Sequence, residues 1–245
     1  MGELDGRVAI VTGSSSGIGE ASARRLAELG CRVVVNSATS VEAGEAVAES
    51  LPTEALYVQA DISDQAQGQA IITRTLERFG RLDILVNNAG WTRLVDHADL
   101  DALTDEIFRR TFAVNVFGTW WLTKAAMPFL RQSADPNVVM ITSVAGVRPV
   151  GSSIAYAMSK AALNHLVALL AKSCGPVRVN AVAPGLVETR LTADMHEQHA
   201  ATAAAVPLHR SARPDDIAEA VIGFLRNSYV TGRVIVVDGG SSLVW

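Results

Sequence analysis

The sequence predicts an α/β fold built on a single parallel seven-stranded sheet, doubly wound, with helices on both faces. Three observations carry this expectation. Short β-branched runs alternate with longer stretches of helical periodicity along the 245 residues. The runs are apolar throughout rather than alternating, as strands covered on both faces are. A glycine-rich turn follows the first run and opens the first helical stretch, the place where sheets of this kind hold a nucleotide.

The elements follow in order. Residues 8–12 form the first strand, a Val-Ala-Ile-Val run ending in threonine, and residues 17–29 the first helix. Strands over 32–36, 55–60, 84–87, 137–142, 178–182 and 234–237 are runs rich in Val, Ile and Leu. Between them, helical periodicity covers 40–50, 64–79, 101–130, 153–172 and 214–225. Ser63 or Asp64 serves as N-cap of the helix over 64–79. This alternation is the pattern of a Rossmann-type fold. No linker, repeat or low-complexity tract interrupts it, so residues 1–245 read as one domain. One stretch breaks the rhythm. Residues 191–210, rich in Ala and His, fall between the sixth and seventh strands, above the carboxyl ends of the sheet. They read as a substrate lid, or as a pair of surface helices.

Composition narrows the function classes. The chain is 49% hydrophobic and 19% charged, enough apolar content for one large core. A formal net charge of −4 leaves no basic footprint for nucleic acid. No uninterrupted apolar run reads as a membrane span, and the first residues lack the pattern of a signal peptide. Cys31 and Cys174 stand in no metal-ligand spacing and read as small core residues, and no His or carboxylate cluster suggests a metal site. The expectation is a soluble cytoplasmic protein.

Two patterns carry chemistry. The turn Thr12-Gly13-Ser14-Ser15-Ser16-Gly17-Ile18-Gly19 lets backbone approach a pyrophosphate, whose charge meets the free N–H groups at the helix start. Its plainer reading is an N-cap turn with serine caps. In Tyr156-Ala157-Met158-Ser159-Lys160, the tyrosine and lysine project from one helix face, one turn apart. A phenol of ordinary pKa about 10 is a poor acid or base at neutral pH, and a fixed cation beside it favours the phenolate. The pair suits proton exchange in alcohol–carbonyl chemistry. Alone, the spacing is common on solvated helix faces.

Taken with Asp61, Asn87-Asn88-Ala89-Gly90, Asn115, Ser143 and Pro184-Gly185, these motifs resemble the short-chain dehydrogenase/reductases, in order and nearly over the full length. Within that family the chain looks most like 3-oxoacyl-acyl-carrier-protein reductases and related carbonyl reductases. The resemblance implies hydride transfer between a nicotinamide cofactor and a carbonyl or secondary alcohol. Tyr156 would be the general acid. Lys160 would lower the phenol's pKa and bond the nicotinamide ribose. Ser143 would polarise the substrate oxygen. Asn115 would help hold a water in a proton relay, the alternative being a buried Asn satisfied by backbone. The same resemblance assigns cofactor contacts to Gly13, Ser15, Ser16, Gly17, Ile18 and Gly19 of the turn, and to Asn87, Ala89 and Gly90. Asp61 would bond the adenine amino group and the Ile62 backbone its ring. Pro184, Gly185, the Val187 backbone and the Thr189 hydroxyl would run past the nicotinamide. A catalytically silent dinucleotide-binding sensor or scaffold is the competing class. The complete set Asn115, Ser143, Tyr156 and Lys160 argues against it.

The residue that selects NAD is an acid at the end of the second strand, and here it is the neutral Asn36. This permits a 2′-phosphate, with Ser15, Asn36 and Ser37 among the neutral partners for it, although no cation stands nearby in sequence. NADP(H) is therefore favoured and NAD(H) is the alternative. Trp91, Val144, Val150 and Met195, with His196, should ring an apolar substrate pocket, though Trp91 could equally be core. Arg93 and Arg148 are candidates for a basic rim. Trp120 and Trp121 lie in a helix apolar nearly all round, which reads as buried on more than one side. The resemblance implies a homotetramer, or a dimer, with the two long helices against their copies and the apolar end 243–245 also a candidate contact.

Overall fold

A computed structural model of the chain describes residues 2–244, so Trp245 of the apolar C-terminal end lies outside the described residues. The strands are β1 (Val8–Val11), β2 (Arg32–Ser37), β3 (Ala55–Gln59), β4 (Ile84–Asn87), β5 (Asn137–Ile141), β6 (Arg178–Pro184) and β7 (Val234–Val237). The helices are α1 (Gly17–Glu28), α2 (Val41–Ser50), α3 (Gln65–Phe79), α4 (Asp105–Phe112), α5 (Thr119–Leu130), α6 (Ile154–Ser173), α7 (His196–Ala205) and α8 (Pro214–Arg226). The strands make one seven-stranded sheet in the order β3-β2-β1-β4-β5-β6-β7, every neighbouring pair parallel. The chain winds outward from β1 to β3, then returns to place β4 on the other side of β1. A crevice therefore opens at the carboxyl ends of β1 and β4.

Alternate residues of each strand feed opposite faces. Ile10, Val34, Leu85 and Val138 pack under Ile71 and Ile72 of α3, Leu122 and Ala126 of α5, and Leu163 and Val167 of α6. Ala9, Val11, Val35, Val86 and Val139 meet Ala23 and Leu26 of α1, Val47 of α2, and Ile217 and Val221 of α8. Each aliphatic side chain so buried contributes about 2 kcal/mol. Cys31 belongs to the second layer, fully buried, and burial pushes its thiol up to about 12.

Helix starts follow their caps. Asp64 accepts from Ala66 N at 2.8 Å and Gln67 N at 3.1 Å, and α3 stops where Gly80 turns left-handed at φ 71°. The helix expected over 101–130 is not one element. It begins at Asp105, because Thr104 is the capping residue and accepts from Ile107 N. It is then interrupted by a π-helical turn, Ala113–Gly118, between α4 and α5. Gly118 marks the tightest approach there: a Cβ on it would lie 2.7 Å from Ile62 O.

The apolar helix expected to be buried on several sides is open on one. Phe117 is 50% exposed and Trp120 39%. By length and composition α6 passes for a membrane span, although Lys160, Asn164 and His165 interrupt its apolar run. In the fold it packs on the sheet and carries Ser159 and Lys160 on its buried side. Residues 190–205 form a short 3-10 turn (Arg190–Thr192) and α7, none of whose side chains is buried.

Candidate active site

The turn after β1 is built around glycines that no other residue could replace without movement. Gly13 and Gly17 adopt φ of 61° and 59°. A Cβ on Gly13 would meet Ala89 Cα at 2.9 Å, and one on Gly19 would meet Gly13 O at 2.3 Å. A Cβ on Gly17 would touch Thr189 Cγ2 at 3.3 Å, so three segments distant in sequence converge here. The convergence is braced from behind. Asn88 Nδ2 donates to Thr12 O at 2.9 Å and Gly13 O at 3.0 Å. Thr12 Oγ1 accepts from Asn88 N and Ala89 N, each at 3.0 Å.

Ser16 stands at the N-cap of α1 without making a side-chain capping bond, which leaves the leading N–H groups of the helix for a ligand. Ser15, Ser16, Gly17 and Ile18 are half-buried, Ile18 packing on the second core layer, and Gly19 is buried. Asn87, at the end of β4, donates to Thr123 Oγ1 at 3.0 Å, while its Oδ1 is buried and unpartnered. A narrow glycine cradle, an uncapped helix start and an orphaned acceptor fit a dinucleotide.

Asn36 and Ser37 already have partners within the chain. Asn36 is 1% exposed, and its Nδ2 donates to Val58 O and Ala60 O, both at 3.0 Å. Its Oδ1 accepts from Gly13 N at 3.3 Å. Ser37 Oγ is held by Ser40 O at 3.0 Å and Tyr57 Oη at 2.8 Å. Both side chains tie the end of β2 to its neighbours: Asn36 to the turn and β3, Ser37 to Ser40 and β3.

Asp61 keeps its place beyond β3 but already has partners. Its Oδ1 accepts from Ser63 N at 2.9 Å and Ser63 Oγ at 2.6 Å, and Oδ2 from Arg110 at 3.1 Å. Desolvation works against these bonds, yet together they hold the carboxyl below its ordinary range. Arg110 is a partner that sequence spacing did not reveal. The Ile62 side chain is 3% exposed in the core, leaving only its backbone for the crevice.

The four residues of the predicted catalytic set come from three places: the end of β5, α6 and the π-helical turn. Ser143 follows β5 and accepts from Ala145 N at 3.1 Å. Tyr156 stands in the first turn of α6, whose cap Ser153 accepts from Tyr156 N at 3.2 Å. Lys160 lies one turn on, its Nζ 5.6 Å from the Tyr156 ring centroid and donating to Ile141 O at 2.9 Å. The Lys160 side chain is 3% exposed, and burial lowers its pKa to about 8. The phenol behaves otherwise than expected. Burial raises the Tyr156 pKa, opposed by Ser143, and Lys160 does not offset it. The lysine reaches past the ring to the end of β5.

Asn115 sits inside the π-helical turn, fully buried. Its Oδ1 accepts from Trp91 N at 2.8 Å, and its Nδ2 donates to Trp91 O at 3.0 Å and Ser159 Oγ at 2.9 Å. Ser159 Oγ donates in turn to Tyr156 O at 2.7 Å. The amide is therefore a strut between the β4–α4 loop and α6, with both its N–H groups used and one lone pair of Oδ1 left over. The wider π turn is what carries it across. Gly90 fills the space between, where a Cβ would lie 3.6 Å from both Asn115 Oδ1 and Lys160 Nζ.

The pocket residues divide. Val144 adjoins Ser143, Val150 is 38% exposed beside Gly151, and a Cβ on Gly151 would meet Tyr156 Cδ1 at 3.6 Å. Met195 is half-buried at the start of α7 and His196 is exposed. Trp91 packs partly on the core and also lines a cavity of about 300 Å³ with Arg93 and Arg110. Arg148 is committed elsewhere, donating to Ser242 O at 2.8 Å. Pro184 ends β6, Gly185 N donates to Val237 O at 3.0 Å, and Val187 is buried.

Residues 13–242 match the family model described as Enoyl-(Acyl carrier protein) reductase. A Streptomyces violaceoruber protein named "Granaticin polyketide synthase putative ketoacyl reductase 2" is 53% identical over 97% of this chain and 96% of its own length. The chain belongs to the short-chain dehydrogenase/reductases. A 3-oxoacyl-[acyl-carrier-protein] reductase of Thermotoga maritima is 33% identical over 97% of this short-chain dehydrogenase/reductase and 98% of its own length. Two crystal structures are also similar. A 3-ketoacyl-(acyl-carrier-protein) reductase from Brucella melitensis complexed with NADH has a TM-score of 0.91 and 33% identity, covering 98% of this chain and 100% of its own. A short-chain dehydrogenase from Burkholderia cenocepacia in complex with NADP has a TM-score of 0.89 and 33% identity, covering 98% and 99%. As a family member the chain is an oxidoreductase that binds a nicotinamide cofactor.

Proposed function

We propose that this enzyme reduces a ketone, of 3-oxoacyl or polyketide type, with NADP(H) as its preferred cofactor, and that Tyr156 is the proton donor. The observation that carries this reading is the meeting of half-buried Tyr156 and Ser143 with buried Lys160 beside the switch-point crevice. A phenol whose pKa is raised stays protonated at neutral pH, the state a proton donor needs. A bound nicotinamide supplies the hydride. As the proton leaves Tyr156 Oη, a phenolate forms where water is scarce, and the Lys160 ammonium is the nearby positive charge. With a pKa of about 8, Lys160 is mostly protonated at neutral pH. Ser143 orients the carbonyl oxygen toward the phenol, and Asn115 holds Trp91 and α6 in register through Ser159.

The preference for NADP rests on the end of β2, where no carboxylate faces a 2′-phosphate and Asn36 is neutral and buried. Ser15, half-buried in the turn, is a side chain that meets it. The substrate class follows the relatives named as ketoacyl reductases. Residues 191–210 act as the substrate lid, since α7 buries no side chain. Two copies pack through the open faces of the π turn, α5 and α6, where Phe117, Trp120, Met158 and Leu169 are 39–50% exposed, and a second contact completes a tetramer. The reaction takes place in the cytoplasm, where Cys31 and Cys174 stay unpaired. The test is oxidation of NADPH and of NADH, read at the nicotinamide absorbance band, across a panel of ketones. Ketone-dependent loss of absorbance that is faster with NADPH supports the reading. Cofactor binding with no turnover on any ketone rejects it in favour of a dinucleotide sensor.

A further inference from the structure

We propose that His199, on the exposed helix α7, is a positioning residue that clasps the segment holding Val187 and Thr189 in the shape that receives the nicotinamide. The inference rests on the reading that this segment borders the cofactor. His199 bridges two parts of the chain. Its Nδ1 lies 2.8 Å from Ser211 Oγ, and its Nε2 lies 3.2 Å from Thr192 Oγ1. Backbone bonds tie the same two parts together: Glu188 N donates to Ala212 O at 2.9 Å, and Ala212 N to Leu186 O at 3.1 Å.

Counting protons assigns the roles. Thr192 Oγ1 has one hydrogen, and Val187 O, at 2.6 Å, takes it. Thr189 N donates to the same oxygen at 3.2 Å. The remaining lone pair faces His199, so Nε2 carries a hydrogen and donates. On the other side Ser211, 4% exposed, gives its hydrogen to Nδ1 at 2.8 Å. Both ring nitrogens are then satisfied. The Thr189 hydroxyl is the one left over. Its oxygen accepts from the Thr192 backbone N–H in a capping box, and its hydrogen has only Thr192 Oγ1 at 3.4 Å, whose lone pairs are already taken. The clasp therefore fixes the loop and leaves Thr189, which touches the glycine cradle at Gly17, free to bond a ligand.

α7 buries none of its own side chains, so these polar bonds account for much of its attachment. Without them the loop samples other shapes, and apparent cofactor affinity falls by the fraction that remains competent. Two readouts test this. The first is NADPH titration by nicotinamide fluorescence, set beside kcat and KM with a ketone. For His199→Ala, loss of one to two hydrogen bonds raises the NADPH dissociation constant by about 5- to 30-fold, with kcat at saturating NADPH within about twofold of wild type. His199→Gln, which restores a donor toward Thr192, returns the constant to within about threefold of wild type. The second is trypsin cleavage after the exposed Arg190 in cofactor-free protein, which accelerates in His199→Ala and in Ser211→Ala.

Unchanged binding and unchanged cleavage in His199→Ala would overturn the clasp, as would a glutamine variant no better than alanine. If wild type binds NADPH but reduces no ketone, the reductase reading fails while binding and cleavage still judge the clasp. If it binds no NADPH, cleavage alone judges it. Ser211→Ala carries the test should the alanine variant at position 199 fold poorly.

Discussion

Replacing Lys160 by methionine separates the cost of a buried ammonium from its use. The side chain is 3% exposed, and Ile141 O is the acceptor for its Nζ. Burial lowers its pKa from 10.5 to about 8. At about pH 7 the unfolded chain carries this ammonium in water and the folded chain carries it inside, a penalty of about 3 kcal/mol at about 1.4 kcal/mol per pKa unit. The folded-state pKa lies below the unfolded one. The penalty is therefore full below about pH 8 and is relieved as pH rises toward the ordinary lysine value.

Methionine keeps the apolar stem and removes the charge, at the cost of one donor to Ile141 O, about 1–2 kcal/mol. Lys160→Met should then be more stable than wild type by about 1–2 kcal/mol at about pH 7, a gain of about 2–6 °C in Tm. At about pH 9.5 wild type recovers about 2 kcal/mol of its penalty, so the advantage disappears. Urea unfolding of both proteins, followed by tryptophan fluorescence at the two pH values, measures this. The same variant should show no ketone turnover. A stability difference that does not change with pH would refute the buried-cation argument.

Two further outcomes follow from the site. Gly19→Ala brings a Cβ within 2.3 Å of the Gly13 carbonyl oxygen, so the turn must open. NADPH affinity should fall at least about tenfold and stability by about 1–3 kcal/mol, read by fluorescence titration and thermal unfolding. Asn115→Ala removes every side-chain partner of the Trp91 backbone and one of Ser159, all near the fully buried amide. It should cost about 3 kcal/mol by urea unfolding and lower kcat with it. Stability close to wild type would mean that the strut carries little load.

The sheet was legible because parallel strands covered on both faces must be apolar throughout, and Val8–Val11 and Ile84–Asn87 differ little or not at all from their expected ranges; the edge strand Val234–Val237 keeps its expected range although Ile235 and Val236 are exposed. The π turn was not, since one extra residue in a helix leaves the apolar pattern continuous through Val114 and Val116. Asn36 reads as a phosphate partner because a neutral residue at that strand end permits one. Only the fold reveals that its amide bonds to Gly13, Val58 and Ala60. The spacing of Tyr156 and Lys160 set them on one helix face but said nothing about burial, which reverses the direction of the phenol's shift. Arg110 acts through a partner far away in sequence and His199 through Thr192 and Ser211 on either side of its helix, and no local pattern marks either.

The central claim is that the Tyr156 hydroxyl gives the proton when a ketone is reduced. Tyr156→Phe removes that oxygen and little else. Mixed with saturating NADPH and a ketone that wild type reduces, this variant should bind the cofactor with unchanged affinity yet give single-turnover hydride transfer slower by at least about a thousandfold. Transfer at near wild-type rate would contradict the account.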